Sequence, residues 1–259
     1  MEATAHRFTG RDGVELAYRE VGTGRPLLLL HGFTATGMQW FDHGPGAALA
    51  ADRHRIIVPD LRGHGDSAPR HDPTPYPPDI LTDDGLLLID KLGLDDYDLG
   101  GYSLGARIAL RMMIRGARPA RAVVAGQGLT AVTGTAHRGG IHQVLTALVN
   151  GENLPPGSPA AQAAYWMTES GNDPLALLHV LDSLIPTPVE ALGQVSTPTL
   201  VVVGDQDHDH TSATALAKTL PLALYATVPG DHWSALTGQA LATTITNFLA
   251  HHPRPVKTG

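Results

Sequence analysis

"YDLGGYSLGARIAL", residues 97–110, changes character at Ser103. The first half is typical of a buried β-strand, and the second half has the apolar spacing of an amphipathic helix. Gly101 and Gly105 flank the serine at the junction. A nucleophile on a sharp strand-to-helix turn must project from the sheet, and flanking side chains would collide with neighbouring elements. The stretch therefore predicts a turn that presents Ser103 as a nucleophile, and the alternative is that Ser103 only caps the helix.

Strands and helices alternate on both sides of this turn. Residues 6–21 alternate apolar and polar side chains about GRDG, which predicts an antiparallel hairpin. Short apolar runs that end in turn residues predict buried strands at 26–32, 55–60, 121–126, 199–204 and 224–230. Helical spacing predicts helices at 80–93, 103–115 and 238–251. This alternation is typical of an α/β fold with a mostly parallel, doubly wound sheet.

Residues 129–192 interrupt the alternation, because they contain no convincing central strand. They are typical of short helices separated by the turn-rich stretches NGENLPPGSP and SGNDP. We expect an α/β core domain formed by residues 1–128 and 193–259, with a helical cap inserted at 129–192. The cap is rich in apolar side chains, Trp166 among them, which favours a substrate with a hydrophobic portion.

The composition excludes several classes of function. The 259 residues carry a formal net charge of -7, and the 18 Lys and Arg residues are scattered, so no basic patch for nucleic acid is expected. Without cysteine, disulfides and thiolate nucleophiles are excluded. Neither a signal-peptide pattern nor an apolar run approaching about 20 residues is present. We expect a cytoplasmic protein that acts on a small molecule, without a membrane partner; its oligomeric state stays open.

Three motifs, in their order and spacing, resemble those of the α/β-hydrolase superfamily along nearly the whole chain. GYSLG at 101–105 resembles its nucleophile elbow, and HGF at 31–33 resembles its oxyanion loop after the third strand. DLRGHGDS at 60–67 resembles its loop after the fourth strand. The resemblance implies an α/β-hydrolase fold and a catalytic triad in the chain order Ser, Asp, His.

The acid of such a triad is expected after the strand at 199–204. The following segment, GDQDHDH, offers Asp205, Asp207 and Asp209. The G-x-x-D spacing typical of the family selects Asp207, and Asp205 is the second choice. The other position used in the superfamily, after the strand at 121–126, holds AGQGL and contains no carboxylate.

The base is expected to be His232, in PGDHW just after the last predicted strand. A carboxylate that holds this imidazole in one tautomer lets it take the proton of Ser103. His208 and His210 lie too near the acid in sequence to span that gap easily. The resemblance implies an oxyanion hole formed by the backbone N–H groups of Phe33 and Leu104.

Neither a metal nor a cofactor is expected. DHDH at 207–210 contains ligand-type side chains, but residues one or two apart do not share a helix face, and no third ligand is evident in the sequence. GTG at 22–24 precedes a strand instead of opening a helix, unlike a nucleotide-phosphate loop.

The function expected from these residues is that of a serine hydrolase that cleaves a carboxylic ester or lactone through an acyl-enzyme. Phe33 and Trp166 are expected to contact the substrate. Ser103 at the elbow argues against epoxide hydrolase and haloalkane dehalogenase chemistry, because those members of the superfamily attack through a carboxylate.

Two alternatives stay open. GYSLGARIAL, with Arg107 one helical turn after Ser103, is similar to a menaquinone-pathway synthase of the same superfamily, which implies C–C bond hydrolysis or lyase chemistry. In that relative the matching arginine holds a carboxylate, but here the cap adds only Arg138 as a further cation, so a solvated or structurally paired Arg107 is favoured. The second alternative is a receptor that binds a ligand without turnover.

Overall fold

One mostly parallel sheet forms the centre of the protein, as the computed structural model shows for residues 3–51, 53–67, 71–134 and 139–251. The strands are β1 (Thr4–Thr9), β2 (Glu15–Val21), β3 (Arg25–Leu30), β4 (His54–Pro59), β5 (Asp98–Tyr102), β6 (Ala122–Ala125), β7 (Thr199–Gly204) and β8 (Ala223–Val228). They form an eight-stranded sheet in the order β1-β2-β4-β3-β5-β6-β7-β8. β2 pairs antiparallel with β1 and β4, and the other pairs are parallel. The predicted fold class is confirmed.

Helices cover both faces of the sheet. They are α1 (Gln39–Asp42), α2 (Gly46–Ala51), α3 (Ile80–Leu92), α4 (Leu104–Ile114), α5 (Leu129–Thr133), α6 (Gly140–Val149), α7 (Pro159–Glu169), α8 (Pro174–Ser183), α9 (Val189–Leu192), α10 (Ala213–Thr219), α11 (Ser234–Thr237) and α12 (Gln239–His251). In β3, Leu27 and Leu29 pack with α2 and α12, whereas Leu28 and Leu30 pack with α3 and α4. Successive side chains of a strand point to opposite faces, so the unbroken apolar run of β3 serves both layers.

The direction in which successive strands are added to the sheet reverses at β3, and this switch point places the candidate site. β4 lies on one side of β3 and β5 lies on the other. At such a switch point the loops that leave the carboxyl ends of the strands diverge and open a crevice. Phe33 follows β3, and Ser103 follows β5. The loops after β7 and β8, which carry Asp207 and His232, leave the same edge of the sheet.

Residues 129–192, between β6 and β7, hold α5 to α9 and no strand within their described part, which excludes 135–138. Leu145 of α6 and Leu177 of α8 are fully buried, in the same apolar cluster as residues of α3 and α4. The division into a core domain and a cap stays a prediction, and we call these residues the helical segment 129–192. Within the described residues, every helix is too short or too polar to span a bilayer.

Candidate active site

Ser103 occupies a strained turn between β5 and α4. Its φ of 53° and ψ of -114° lie in a region that costs a side-chain-bearing residue about 1–3 kcal/mol. The Ser103 N–H donates to the Ala125 carbonyl oxygen at 2.8 Å, and Gln127 Nε2 donates to the Ser103 carbonyl oxygen at 3.0 Å. The Ser103 hydroxyl makes no capping hydrogen bond to α4, which argues against a role as a helix cap alone.

Gly101 and Gly105 let the turn pack against neighbouring backbone. An ideal Cβ at Gly101 would lie 2.2 Å from the carbonyl carbon of Gly105. An ideal Cβ at Gly105 would lie 2.2 Å from the carbonyl oxygen of Leu30, at the end of β3. Since backbone atoms cannot move aside as a flexible side chain does, both positions require glycine.

Asp207 and His232 meet although 25 residues separate them in the chain. Asp207 Oδ2 lies 2.7 Å from His232 Nδ1. The Asp207 side chain is fully buried, whereas 34% of the His232 side chain is exposed. This contact suits a neutral imidazole that carries its proton on Nδ1 and keeps Nε2 free to accept another proton.

The two competing aspartates in this loop are placed differently. Asp205 is exposed, and its Oδ1 accepts the Gly230 N–H at 2.9 Å. Asp209 is exposed as well. Of the three, Asp207 is the one that the structure brings to His232, which favours the first choice made from the sequence.

His232 lies over the residues that hold the Ser103 turn. The hydroxyl of Tyr102 donates to the His232 carbonyl oxygen at 2.5 Å, and the two ring centroids are 5.3 Å apart. An ideal Cβ at Gly126 would lie 3.2 Å from His232 Cε1. The Ser103 N–H is hydrogen-bonded to Ala125, the last residue of β6. The serine and the imidazole therefore both adjoin the carboxyl ends of β5 and β6.

The HGF loop runs beside the serine. The Gly32 N–H donates to Gln39 Oε1 at 2.9 Å, and an ideal Cβ at Gly32 would lie 3.8 Å from Ser103 Cβ. Leu104 is the first residue of α4, where an amide has no acceptor within its own helix. Phe33 and Leu104 line the same cavity as Ser103. The two residues expected to supply the oxyanion amides thus both border the serine.

Two buried histidines support this loop, and sequence reasoning assigned neither of them a role. His31 Nε2 accepts the Leu61 N–H at 2.9 Å, and His31 Nδ1 lies 2.7 Å from the Gly32 carbonyl oxygen. These contacts suit a neutral ring with its proton on Nδ1. Burial, and secondly the neighbouring His64, hold the pKa of His31 well below its usual range. His64 Nε2 in turn lies 2.5 Å from the Phe33 carbonyl oxygen. His31 lies in the HGF motif and His64 in the DLRGHGDS motif, and these motifs are the sequence signal that could have identified both.

A cavity of 270 Å³ opens beside Ser103. Its apolar lining includes Phe33, Leu104, Ile141, Leu181 and Leu184, and its polar lining includes Arg107 and Gln127. Ile141 lies on α6 and Leu181 lies on α8, so the helical segment 129–192 supplies part of the wall.

Trp166 is not among the residues that line this cavity. Helix α7 buries Ala164 and Met167, which are three residues apart and share one face. Trp166 therefore falls on the outer face of α7, is 62% exposed, and packs edge-on against Tyr165. The cavity gives no support to the expectation that Trp166 contacts the substrate.

Arg107 is buried and structurally paired. Its guanidinium donates to the carbonyl oxygens of Ala131, Gly134 and Ile185 at 2.8, 3.0 and 2.9 Å. Burial lowers the pKa of Arg107 to about 10, and the nearby Arg111 contributes to the shift. Arg107 therefore remains a cation at neutral pH. Arg138, the other cation considered from the sequence, lies outside the described residues.

His210 is a further member of the site, and the sequence placed it too near the acid to serve easily as the base. The chain turns back directly after Asp207 through a short 3-10 helix, His208–His210. The His210 ring centroid lies 4.8 Å from that of His232. Asp207, His210 and His232 each offer one metal-ligand atom, and these atoms lie within 4.8 Å of one another.

Comparisons with known proteins agree with this architecture. The model of the alpha/beta hydrolase fold family matches residues 25–138. Epoxide hydrolase 2 of Siraitia grosvenorii is 32% identical over 109 residues, which is 42% of this chain and 34% of that protein. Non-heme chloroperoxidase CPO-A1 of Kitasatospora aureofaciens is 39% identical over 97 residues, which is 38% of this chain and 34% of that protein. The matched part of the chain thus spans about a third of either relative.

The structural likeness extends over nearly the whole chain. The crystal structure of the esterase RhEst1 from Rhodococcus sp. ECU1013 superposes with a TM-score of 0.74 and 23% identity, covering 95% of this chain and 98% of that one. Together with the family match over residues 25–138 and the strand order, this likeness shows that the chain has the α/β-hydrolase fold.

Proposed function

We propose that this chain is a serine hydrolase that cleaves a carboxylic ester or lactone with a hydrophobic portion. Ser103 Oγ adds to the carbonyl carbon while His232 takes its proton, and Asp207 orients and stabilises the resulting imidazolium. The amides of Phe33 and Leu104 hold the oxyanion. His232 then gives its proton to the leaving oxygen, and water, activated by the same imidazole, releases the acyl group from Ser103.

The observation that carries this proposal is the 2.7 Å contact between Asp207 Oδ2 and His232 Nδ1, beside the strained turn of Ser103. A base needs a partner that holds its tautomer, and a fully buried carboxylate does this without competition from water. Helix α4 begins at Leu104, so its positive end and free amides point to the place where the oxyanion would form.

The cavity favours a substrate with a modest apolar group. Its volume of 270 Å³ is just below the range of about 300–1,000 Å³ that is usual for small-molecule sites. Arg107, which borders it, already donates to three carbonyl oxygens, and this gives no support to a role in holding a substrate carboxylate. The C–C bond chemistry considered from the sequence is therefore the weaker candidate.

The names of the relatives span several chemistries, and the nucleophile favours one of them. The similar proteins carry names of an epoxide hydrolase, a chloroperoxidase and an esterase. Epoxide hydrolases of this superfamily attack through a carboxylate, whereas this chain has Ser103 at the elbow. A serine that adds to a carbonyl carbon favours ester cleavage.

Hydrolysis of p-nitrophenyl acetate, butyrate, octanoate and laurate tests the proposal. We expect turnover of the shorter esters and a loss of rate at laurate, because the cavity is small. Ser103→Ala should lower kcat by about 10⁴-fold or more, since the acyl-enzyme can no longer form. Full activity of a folded Ser103→Ala protein would rule out the mechanism.

A fluorophosphonate probe separates the enzyme from the two alternatives, because it labels only an activated serine. We expect stoichiometric labelling of the wild type and none of Ser103→Ala. A folded wild type that the probe leaves unlabelled would favour a ligand-binding receptor. Labelling without turnover of any of the esters would favour C–C bond cleavage.

A further inference from the structure

Two buried polar atoms next to the candidate triad lack partners. Asp207 Oδ1 and His210 Nδ1 are buried and have no hydrogen-bond partner among the residues that the structure describes. The Asp207 side chain is fully buried, and its other oxygen, Oδ2, contacts His232. A buried carboxylate oxygen and a buried ring nitrogen left without partners are costly, so a ligand for either atom would be stabilising.

The chemistry of these side chains selects the ligand. One oxygen of Asp207 and one nitrogen from each of His210 and His232 lie within 4.8 Å of one another. Two imidazoles and a carboxylate are a donor set that suits Zn²⁺ and neighbouring transition metals, whereas Ca²⁺ and Mg²⁺ prefer oxygen alone. We propose that Asp207, His210 and His232 bind a Zn²⁺ ion, and that the bound ion reversibly inhibits the hydrolase.

The geometry allows such a site after a small contraction. At Zn–N distances of about 2.0–2.1 Å, the ligand atoms of a tetrahedral site are about 3.4 Å apart. His210 ends a short 3-10 helix whose other residues, His208 and Asp209, are exposed, and His232 lies on a loop after β8. We expect these positions to move by the distance required, since loops are more mobile than the strands that they connect. Three protein ligands leave a fourth position for water.

The inhibition follows from sharing His232, and this part rests on the proposed function. An imidazole nitrogen that binds a metal has given its lone pair to the ion. If the metal takes Nε2, the nitrogen needed as base is occupied; if it takes Nδ1, the hydrogen bond to Asp207 is lost. In either case His232 no longer serves as the oriented base for Ser103.

The sequence alone predicts no metal site, because it shows no third ligand beside Asp207 and His210. The structure supplies that ligand from the loop after β8. The residues of DHDH cannot form a complete metal site by themselves. Asp207 and His210 can form one together with His232, which lies on another loop.

Calorimetric titration of ZnCl₂ into Ser103→Ala tests the site without any dependence on activity, since this variant keeps all three ligands. We expect one tight Zn²⁺ site per chain. Adding His210→Gln should weaken this site by about tenfold or more, because one ligand is lost. Adding His208→Gln, on the exposed neighbour in the same turn, should leave it unchanged and serves as the matched control.

Ester hydrolysis then tests the inhibition. We expect the wild type to lose activity with Zn²⁺ and to regain it with EDTA. His208→Gln should respond as the wild type does, whereas His210→Gln, compared with its own metal-free rate, should need about tenfold more Zn²⁺ or higher.

The outcomes separate the two proposals. Zn²⁺ affinity that is the same with and without His210 in folded protein would overturn the metal site, as would the absence of a saturable site. If His210→Gln does not fold, Asp207→Asn replaces it, and unweakened Zn²⁺ binding by that variant has the same meaning. His210-dependent binding without loss of activity would overturn the inhibition alone. His210-dependent binding in a protein that cleaves no ester would leave the metal site standing and refute the proposed function.

Discussion

The turn at Ser103 requires glycine at positions 101 and 105, where there is no room for a Cβ atom. A Cβ at Gly105 would lie 2.2 Å from the Leu30 carbonyl oxygen, so Gly105→Ala must displace α4 from β3. Overpacking of this kind destabilises a protein by about 1–3 kcal/mol, and more where backbone must move. We expect this loss in urea denaturation, together with a loss of fluorophosphonate labelling, because Ser103 is displaced with the turn.

Gly140→Ala is the matched control for this substitution. Gly140 is the first residue of α6, and a Cβ there would meet no atom within 4 Å. Alanine in a helix is favoured over glycine by up to about 1 kcal/mol, so this variant should be as stable as the wild type or slightly more stable. Equal stability of the two alanine variants would show that the turn tolerates a side chain.

The start of α3 is joined to α4 by one carboxylate. Asp79 precedes α3 with a φ of 66°, and its carboxylate accepts hydrogen bonds from Thr82, Arg111 and Arg115. Burial alone would raise the pKa of Asp79, but the hydrogen bonds from Arg111 and Thr82 outweigh it and hold the pKa below its usual value. A lowered pKa stabilises the fold at pH values above about 4, and this contribution is lost as the pH falls through the folded-state pKa.

Asp79→Asn therefore has a pH-dependent effect on the free energy of unfolding. Asn tolerates the left-handed backbone, so the variant removes mainly the charge. We expect a loss of about 1–3 kcal/mol at pH 7 that shrinks below pH 4, as measured by denaturation at each pH. Asp83→Asn, which breaks a more exposed pair with Arg115, should cost less than about 1 kcal/mol. A loss for Asp79→Asn that does not change with pH would refute this account.

Arg107 connects helix α4 with the helical segment 129–192. Its side chain extends from α4 and donates to carbonyl oxygens near both ends of that segment. The acceptors are Ala131 and Gly134 near one end and Ile185 near the other. Arg107→Met would leave these acceptors without their donor, because methionine cannot replace a guanidinium fork. We expect faster amide hydrogen exchange in peptides that cover 129–134 and 184–187, with a raised KM for esters since these peptides border the cavity.

Arg118→Met provides the control for this change. Arg118 also donates to carbonyl oxygens, of Met113 and Ala117, but lies exposed beyond the far end of α4. This variant should leave exchange in the helical segment unchanged. Equal amide exchange of the helical segment in Arg107→Met and Arg118→Met would show that Arg107 does not hold the segment in place.

Features that depend on neighbouring residues could be predicted from the sequence. The apolar run of β3, the helix after Ser103 and the glycines beside it follow from local periodicity and sterics, and the structure has them in place. Asp207 was selected by family spacing over Asp205, and the structure brings Asp207 to His232. The outward position of Trp166 was missed, because the buried face of α7 depends on which helices pack against it.

Contacts between distant loops depended on the assembled sheet. Local pattern and glycine sterics were enough for the alternation of strands and helices and for the presentation of Ser103. That Asp207 and His232 meet, and that His210 joins them, followed from the order of the strands, which brings the loops after β7 and β8 to one edge. The physical reason is that strand and turn preferences act over a few residues, whereas the distance between two loops is set by how the whole sheet packs.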